Sequence, residues 1–242
     1  MTESPTTHQT PPATALITGA SRGLGLALAR DLAADRWQLL VDGRDPTALH
    51  AAAAELGERT LVRALPGDVA DPSHQRALAS AAVELGGLDV VVHNASALGA
   101  SPLPDLAVYP VDVLRAVFDV NVIAPVALTQ ILLPHLRSGA RIVTISSDAA
   151  VEAYSGWGGY GASKAALDQA FAVLAVERPD LRVYRVDPGD MRTRMHEEAA
   201  PGEDLSDLPP PEASVPGLRA ILFGDLPSGR YVARALDVAV AR

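Results

Sequence analysis

Short apolar runs alternate along this chain with longer amphipathic stretches rich in Ala and Leu. The runs 15–18, 38–41, 60–65, 88–93, 141–145 and 181–186 read as buried strands, and 230–232 as a last short one. Between them a helical period of apolar positions predicts helices over 24–34, 47–56, 73–85, 111–136 and 160–177. Strands alternating with helices predict an α/β fold: a doubly wound, mostly parallel sheet in one domain. No unit recurs at solenoid spacing. Two segments break the rhythm. Residues 1–12 lack apolar periodicity and read as a disordered tail, which leaves 13–242 as the domain. Residues 201–217 hold Pro209, Pro210, Pro211 and several acids, and read as a loop within a substrate lid over 191–217.

Composition narrows the chemistry. The 242 residues are 48% hydrophobic, enough for one large core. The start is polar, and no uninterrupted apolar run reaches the roughly 20 residues of a membrane span, so the expectation is a cytoplasmic protein without a membrane partner. There is no cysteine, which excludes disulfides and thiolate ligands, and the six histidines are scattered, so no metal is expected. A net charge of −9 disfavours nucleic acid as a partner.

The turn between the first strand and the first helix carries Gly19, Ser21, Arg22, Gly23, Leu24 and Gly25 in GxxxGxG spacing. Glycines there permit positive φ and close approach of backbone N–H groups to an anion at the positive end of the helix dipole, so a diphosphate fits. A tight turn would ask for the same glycines. Gly19 to Gly23 also satisfies GxSxG, the elbow of serine hydrolases. That rival needs an oxyanion donor from an earlier strand–helix loop, yet only one predicted strand precedes Ser21.

Further on, Ser147 follows a strand, and Tyr160 and Lys164, four apart, share one helical face. A phenol has a reference pKa of about 10, and an adjacent ammonium favours its ionised form. Lowering it to about 7 needs roughly 4 kcal/mol of differential stabilisation. A solvated Tyr–Lys pair on a helix surface has the same spacing.

Taken together, residues 18–25, the Asn94-Ala95-Ser96 turn, Ser147, the Tyr160-Gly161-Ala162-Ser163-Lys164 segment and the Pro188-Gly189 pair resemble, in order and spacing, the compact short-chain dehydrogenases/reductases, over about residues 13–232. The resemblance implies a Rossmann-like sheet of seven strands, a nicotinamide cofactor, and hydride transfer between it and a carbonyl or alcohol. Tyr160 then resembles the general acid/base, Lys164 the residue that binds the ribose and lowers the phenol pKa, and Ser147 the group that steadies the substrate oxygen. Ser147 is preferred to Ser146 by the family's interval of 13 residues before the tyrosine, and strand alternation sends only one of the two to the site. Asn121 matches the helix asparagine that holds a relay water near the lysine. Asp68 and Val69 correspond to the adenine contacts, Asn94 and Ala95 to the pocket lining, and Pro188, Gly189, Met191 and Thr193 to the segment over the carboxamide. His93 and Ser96 depart from the family's Asn-Asn-Ala-Gly, and His93 reads as a structural residue.

At the end of the second strand, Gly43 falls at the position of the acid that selects NAD, with Arg44 after it and Arg22 nearby, a pattern favouring NADP. A one-residue shift would bring Asp42 into the ribose site and favour NAD instead. The expected function is an NADPH-dependent carbonyl reductase or alcohol dehydrogenase on a small molecule, with Leu98, Tyr154, Trp157, Met191 and Met195 shaping an apolar pocket. The alternatives are a dinucleotide-binding sensor without turnover and the GxSxG hydrolase. By analogy with the family, the 111–136 and 160–177 helices suggest a homodimer or homotetramer.

Overall fold

The chain's regular elements begin where local chemistry permits them. The computed structural model describes residues 12–236. In chain order they are β1 (Thr14–Ile17), α1 (Gly23–Ala34), β2 (Gln38–Gly43), α2 (Pro46–Gly57), β3 (Val62–Pro66), α3 (Pro72–Glu84), β4 (Leu88–His93), α4 (Val111–Phe118), α5 (Ala124–Leu132), β5 (Leu136–Ile145), α6 (Gly158–Glu177), β6 (Arg182–Asp187), α7 (Arg194–Ala199), α8 (Val215–Phe223) and β7 (Gly229–Val232). Helices α2 and α3 open on the same device, an Asp-Pro pair. Asp45 accepts from the N–H groups of Thr47 and Ala48 at 3.0 and 3.1 Å, and Asp71 accepts from Ser73 at 2.8 Å. Pro at the first helical position gives up an N–H that would have gone unpaired.

All seven strands are parallel, in the order β3-β2-β1-β4-β5-β6-β7. Side chains alternate between faces, so Leu39 and Val41 of β2 join Leu28 and Leu32 of α1 and Leu218 and Ile221 of α8 on one side, while Leu40 joins Leu78 of α3 and Leu128 of α5 on the other. Helix α6 covers β5 and β6 through Leu167 and Phe171. Each such buried side chain contributes about 1.5–3 kcal/mol relative to exposure. The chain leaves β1 toward β2 and later crosses back to β4 on the other side of β1, so a crevice opens beyond the carboxyl ends of β1 and β4.

Several boundaries differ from the sequence reading. The expected 111–136 helix is interrupted by a π-helical turn, Asp119–Ile123, that buries Asn121, and ends in a 3-10 turn, Leu133–His135. Although charged residues interrupt its apolar run, Val111–His135 is long and apolar enough to match a membrane span, with a mean hydropathy of 1.8 over an 18-residue stretch. Its Leu128 and Leu132 pack in the core against the sheet. β5 starts at Leu136 rather than Arg141, and β3 at Val62. The 201–217 segment is not loop throughout: a 3-10 turn, Pro211–Ser214, leads directly into α8, whose Leu218 and Ile221 are fully buried. Of the expected tail over 1–12, residues 1–11 lie outside the described residues, as do 237–242.

Candidate functional site

The loop from β1 into α1 is shaped by what surrounds it. Gly19 adopts φ +67°, and a Cβ there would lie 2.9 Å from the Ala95 Cα. At Gly25 a Cβ would meet the Asn94 amide nitrogen at 2.6 Å. Asn94 is the brace: its Nδ2 donates to the carbonyls of Thr18 and Gly19 at 2.8 and 3.1 Å, while its own N–H and that of Ala95 donate to the Thr18 hydroxyl at 3.0 Å. Arg22, at the N-cap of α1, offers no side-chain acceptor to the first-turn N–H groups, which leaves them for an anion. Ser21 lies beside Gly43, and among the described residues no hydrogen bond joins it to a histidine, the partner a hydrolase would need.

The end of β2 is also defined. Asp42 is inside the strand, in register with Leu65 of β3, and buried. Its Oδ1 accepts from the Gly19 N–H at 2.6 Å and its Oδ2 stands 3.2 Å from Nε2 of His74. Gly43 is the residue that faces the loop: a Cβ there would lie 3.1 Å from the Ser21 hydroxyl oxygen. Arg44 is exposed, and Arg22 is 3.6 Å from Asp45, a half-exposed pair of small energetic weight. Asp68 is engaged in its own turn, accepting from the Ala70 N–H at 2.9 Å, and the Val69 carbonyl accepts from the Gln75 side chain at 2.8 Å.

These groups line one side of a cavity of about 1150 Å³, and Ser147, Tyr160 and Lys164 line the other, with Pro188, Gly189, Met191 and Thr193 over it. The structure thus brings together the expected site residues except Asn121 and Gly25, which stand behind its wall. Gly189 adopts φ +73°, its N–H donating to Asp187 at 2.9 Å, and Thr193 caps α7 through the His196 N–H. Strand alternation separates the two serines: the Ser146 hydroxyl donates inward to Asp168 at 2.8 Å, whereas the Ser147 hydroxyl donates to Asp148 at 3.0 Å and lines the same cavity as Tyr160.

Burial dominates the electrostatics around Tyr160 and Lys164. Burial pushes the Tyr160 phenol well above its ordinary value; the carboxylates of Asp148 and Asp187 add to this, while hydrogen bonding from Ser96 and Ser147 opposes it. Lys164 does not offset the burial. Its ammonium donates to the Ile145 carbonyl at 2.7 Å, stands 5.4 Å from the centre of the Tyr160 ring, and is itself pushed down to about 8 by burial, against the pull of Asp168. Asn121 also differs: its amide accepts from the Ala97 N–H at 2.7 Å and donates to the Ala97 carbonyl and the Ser163 hydroxyl at 2.9 Å, so its side chain ties the 96–97 turn to α6 rather than facing Lys164. His93 is buried, packs on Phe171 and hydrogen-bonds Thr129 at 2.8 Å.

Sequence reasoning did not single out Asp148, Asp168, Asp187 or Arg230, and it read Ser96 only as a departure from the family pattern. Ser96, where the related pattern has Gly, places its hydroxyl 3.2 Å from Asn121 Oδ1 and on the cavity wall near Tyr160. Trp157 stands edge-on to the Tyr160 ring at 5.7 Å and gives the reacting end of the cavity an aromatic wall.

Comparison with known proteins gives the same picture. Residues 13–204 match the family model described as short chain dehydrogenase. A benzil reductase of Saccharomyces cerevisiae, forming (S)-benzoin, is 34% identical over 196 residues, 76% of this chain and 73% of that protein. Among solved structures, the oxidoreductase YciK of Escherichia coli superimposes with a TM-score of 0.85 at 31% identity, covering 97% of this chain and all of that one. A short chain dehydrogenase of Shigella flexneri complexed with NADP gives 0.83 at 30% identity, covering 92% of this chain and 97% of that one.

Proposed function

The chain belongs to the short-chain dehydrogenases and is an NAD(P)-dependent oxidoreductase, and from that premise we propose that it is an NADPH-dependent reductase of neutral, aromatic ketones. The observation that carries the reading is the convergence of Ser147, Tyr160 and Lys164 with the 19–25 loop on one cavity.

The cradle fits a dinucleotide. The approach to Gly19 and Gly25 is too close for any side chain, and a Cβ at Gly43 would press on the Ser21 side chain at 3.1 Å. NADP is favoured over NAD because Gly43 offers no acid, Asp42 is committed to Gly19 and His74, and Arg22 and Arg44 stand at the same corner for a 2′-phosphate. The cofactor in the Shigella flexneri neighbour supports the same choice.

When bound, the nicotinamide supplies the hydride and, in its oxidised form, a positive charge near the phenol. The protein supplies the proton. With its pKa raised by burial, Tyr160 stays protonated at neutral pH and donates to the oxygen of the substrate as the carbonyl carbon is reduced, leaving a phenolate. Ser147 steadies the same oxygen by turning its hydroxyl from Asp148 toward it, and the Lys164 ammonium, one turn from Tyr160, stabilises the phenolate. Asn121 holds the turn carrying Ser96 against α6. Trp157, Leu98 and Met195 surround Tyr160 with apolar surface suited to an aryl group, and the likeness to a benzil reductase agrees. Asp148 and Glu198 on the cavity wall disfavour an anionic substrate.

Exposed Val111, Ile123, Val173 and Val176 on the 111–123 segment and α6 suit self-association into a dimer or tetramer. NADPH oxidation against a panel of aryl ketones and diketones, with Tyr160→Phe as control, tests the function. Turnover that disappears in the variant supports it; cofactor binding without turnover on any carbonyl would favour a sensor.

A further inference from the structure

We infer that Arg230, on the last strand, is a positioning residue for Ser147 and Lys164, one guanidinium tying together the segments that carry them. This rests on the catalytic reading above. Arg230 Nη2 donates to the Ser147 carbonyl at 2.8 Å, and Nε donates to Asp168 Oδ2 at 3.0 Å. The same Nη2 is 3.6 Å from Asp187 Oδ2. Asp168 lies one turn beyond Lys164 on α6, and Asp187 is the last residue of β6, directly before Pro188 and Gly189. The guanidinium therefore meets the exit of β5, the helix of Tyr160 and Lys164, and the exit of β6.

The charges around it are arranged for more than packing. Arg185 of β6 is the register partner of Arg230, and two carboxylates, Asp168 and Asp187, stand against the one Arg230 guanidinium. Asp168 Oδ2 accepts a second bond from Ser146, while its Oδ1 is buried with no partner among the described residues. A carboxylate left half-satisfied in the interior is costly. Its position on α6 gives the charge a use: Asp168 pulls against the burial that lowers the Lys164 ammonium. Arg230 pairs with the Asp168 carboxylate and fixes the backbone of Ser147 with the same guanidinium, so hydroxyl and ammonium are set by one group. A planar fork suits this task, and a lysine reaches only part of it.

The test compares wild type, Arg230→Lys, Arg230→Met, the double variant Arg230→Met/Asp168→Asn, Asp168→Asn and Tyr160→Phe in NADPH-dependent ketone reduction, with melting temperature and NADPH binding measured on each. Arg230→Met is expected to lower kcat about tenfold or more, as misplacement of a reacting group does, with KM for NADPH within about twofold. Arg230→Lys should recover part of the loss. Asp168→Asn should move the high-pH limb of kcat toward lower pH, since the ammonium loses its sustaining charge. The double variant removes both charges, so it answers the question even where the single Met variant folds poorly. A purely structural Arg230 would lower the melting temperature while kcat per NADPH-binding site and the pH limb stay as in wild type, and that result overturns the inference. Full activity in Tyr160→Phe would instead bring down the catalytic reading on which it stands.

Discussion

The backbone N–H of Gly19 donates to Asp42 at 2.6 Å, so an acid within the end of β2 braces the loop into α1 from inside the sheet. Its second oxygen faces His74, so Asp42 is engaged on both sides, and Gly43 is the residue at the proposed cofactor-selecting position. Asp42→Asn retains an acceptor for Gly19 and is expected to leave the NADP/NAD preference within about twofold of wild type. Asp42→Leu orphans a buried N–H and should destabilise by about 1–3 kcal/mol in denaturant unfolding. A marked gain in NADP affinity from the Asn variant would instead put this carboxylate in the ribose site.

Charge recognition at the same corner should be separable from binding in general. Replacing Arg44 or Arg22 by Ala removes a partner for a 2′-phosphate, and the Kd for NADPH is expected to rise about tenfold, or roughly 1.4 kcal/mol, while the Kd for NADH changes little. Added salt should weaken NADPH binding more than NADH binding. Equal losses for both cofactors would show that the arginines act through loop structure alone.

Trp157 and Tyr160 meet edge-to-face at 5.7 Å, an arrangement that also presents the indole to whatever approaches the phenol. Trp157→Ala is therefore expected to raise KM for aryl ketones about tenfold, with a smaller effect on short aliphatic ketones, and to lower kcat only modestly. Steady-state kinetics on matched aryl and alkyl substrates checks this. A uniform loss across both classes would assign Trp157 to packing.

The βα order was legible because each buried strand and each amphipathic helix carries its own periodicity. Helix α8 was hidden by its surroundings: Pro209 to Pro211 and Pro216 read as a loop, although Val215, Leu218, Ile221 and Leu222 already mark a helical face. The Gly loop and the Tyr160–Lys164 pair are local in sequence and could be read there. The Asp42–His74 contact and the Arg230–Asp168–Ser147 cluster could not, because their members come from separate elements that meet only through strand order. The raised phenol had the same origin. Residue spacing puts an ammonium one turn away, but desolvation, and the carboxylates of Asp148 and Asp187, depend on the folded surroundings.

His93 makes acid stability a further measurable property of this fold. The imidazole is buried, its Nδ1 has no partner among the described residues, and burial lowers its pKa from an ordinary 6.5 to about 3. Above pH 6.5 both folded and unfolded chains hold it neutral, so it imposes no penalty. As pH falls below that value the unfolded chain takes up a proton that the folded chain refuses until about pH 3, so stability is lost across this window. One proton corresponds to about 1.4 kcal/mol per pH unit, so between pH 7 and pH 5 this residue should cost roughly 2 kcal/mol. His93→Gln keeps a partner for Thr129 without a titrating ring. Urea unfolding of both proteins at the two pH values is expected to show a smaller acid loss in the variant by about that amount. Equal losses would mean that the imidazole is solvated or protonated in the folded protein.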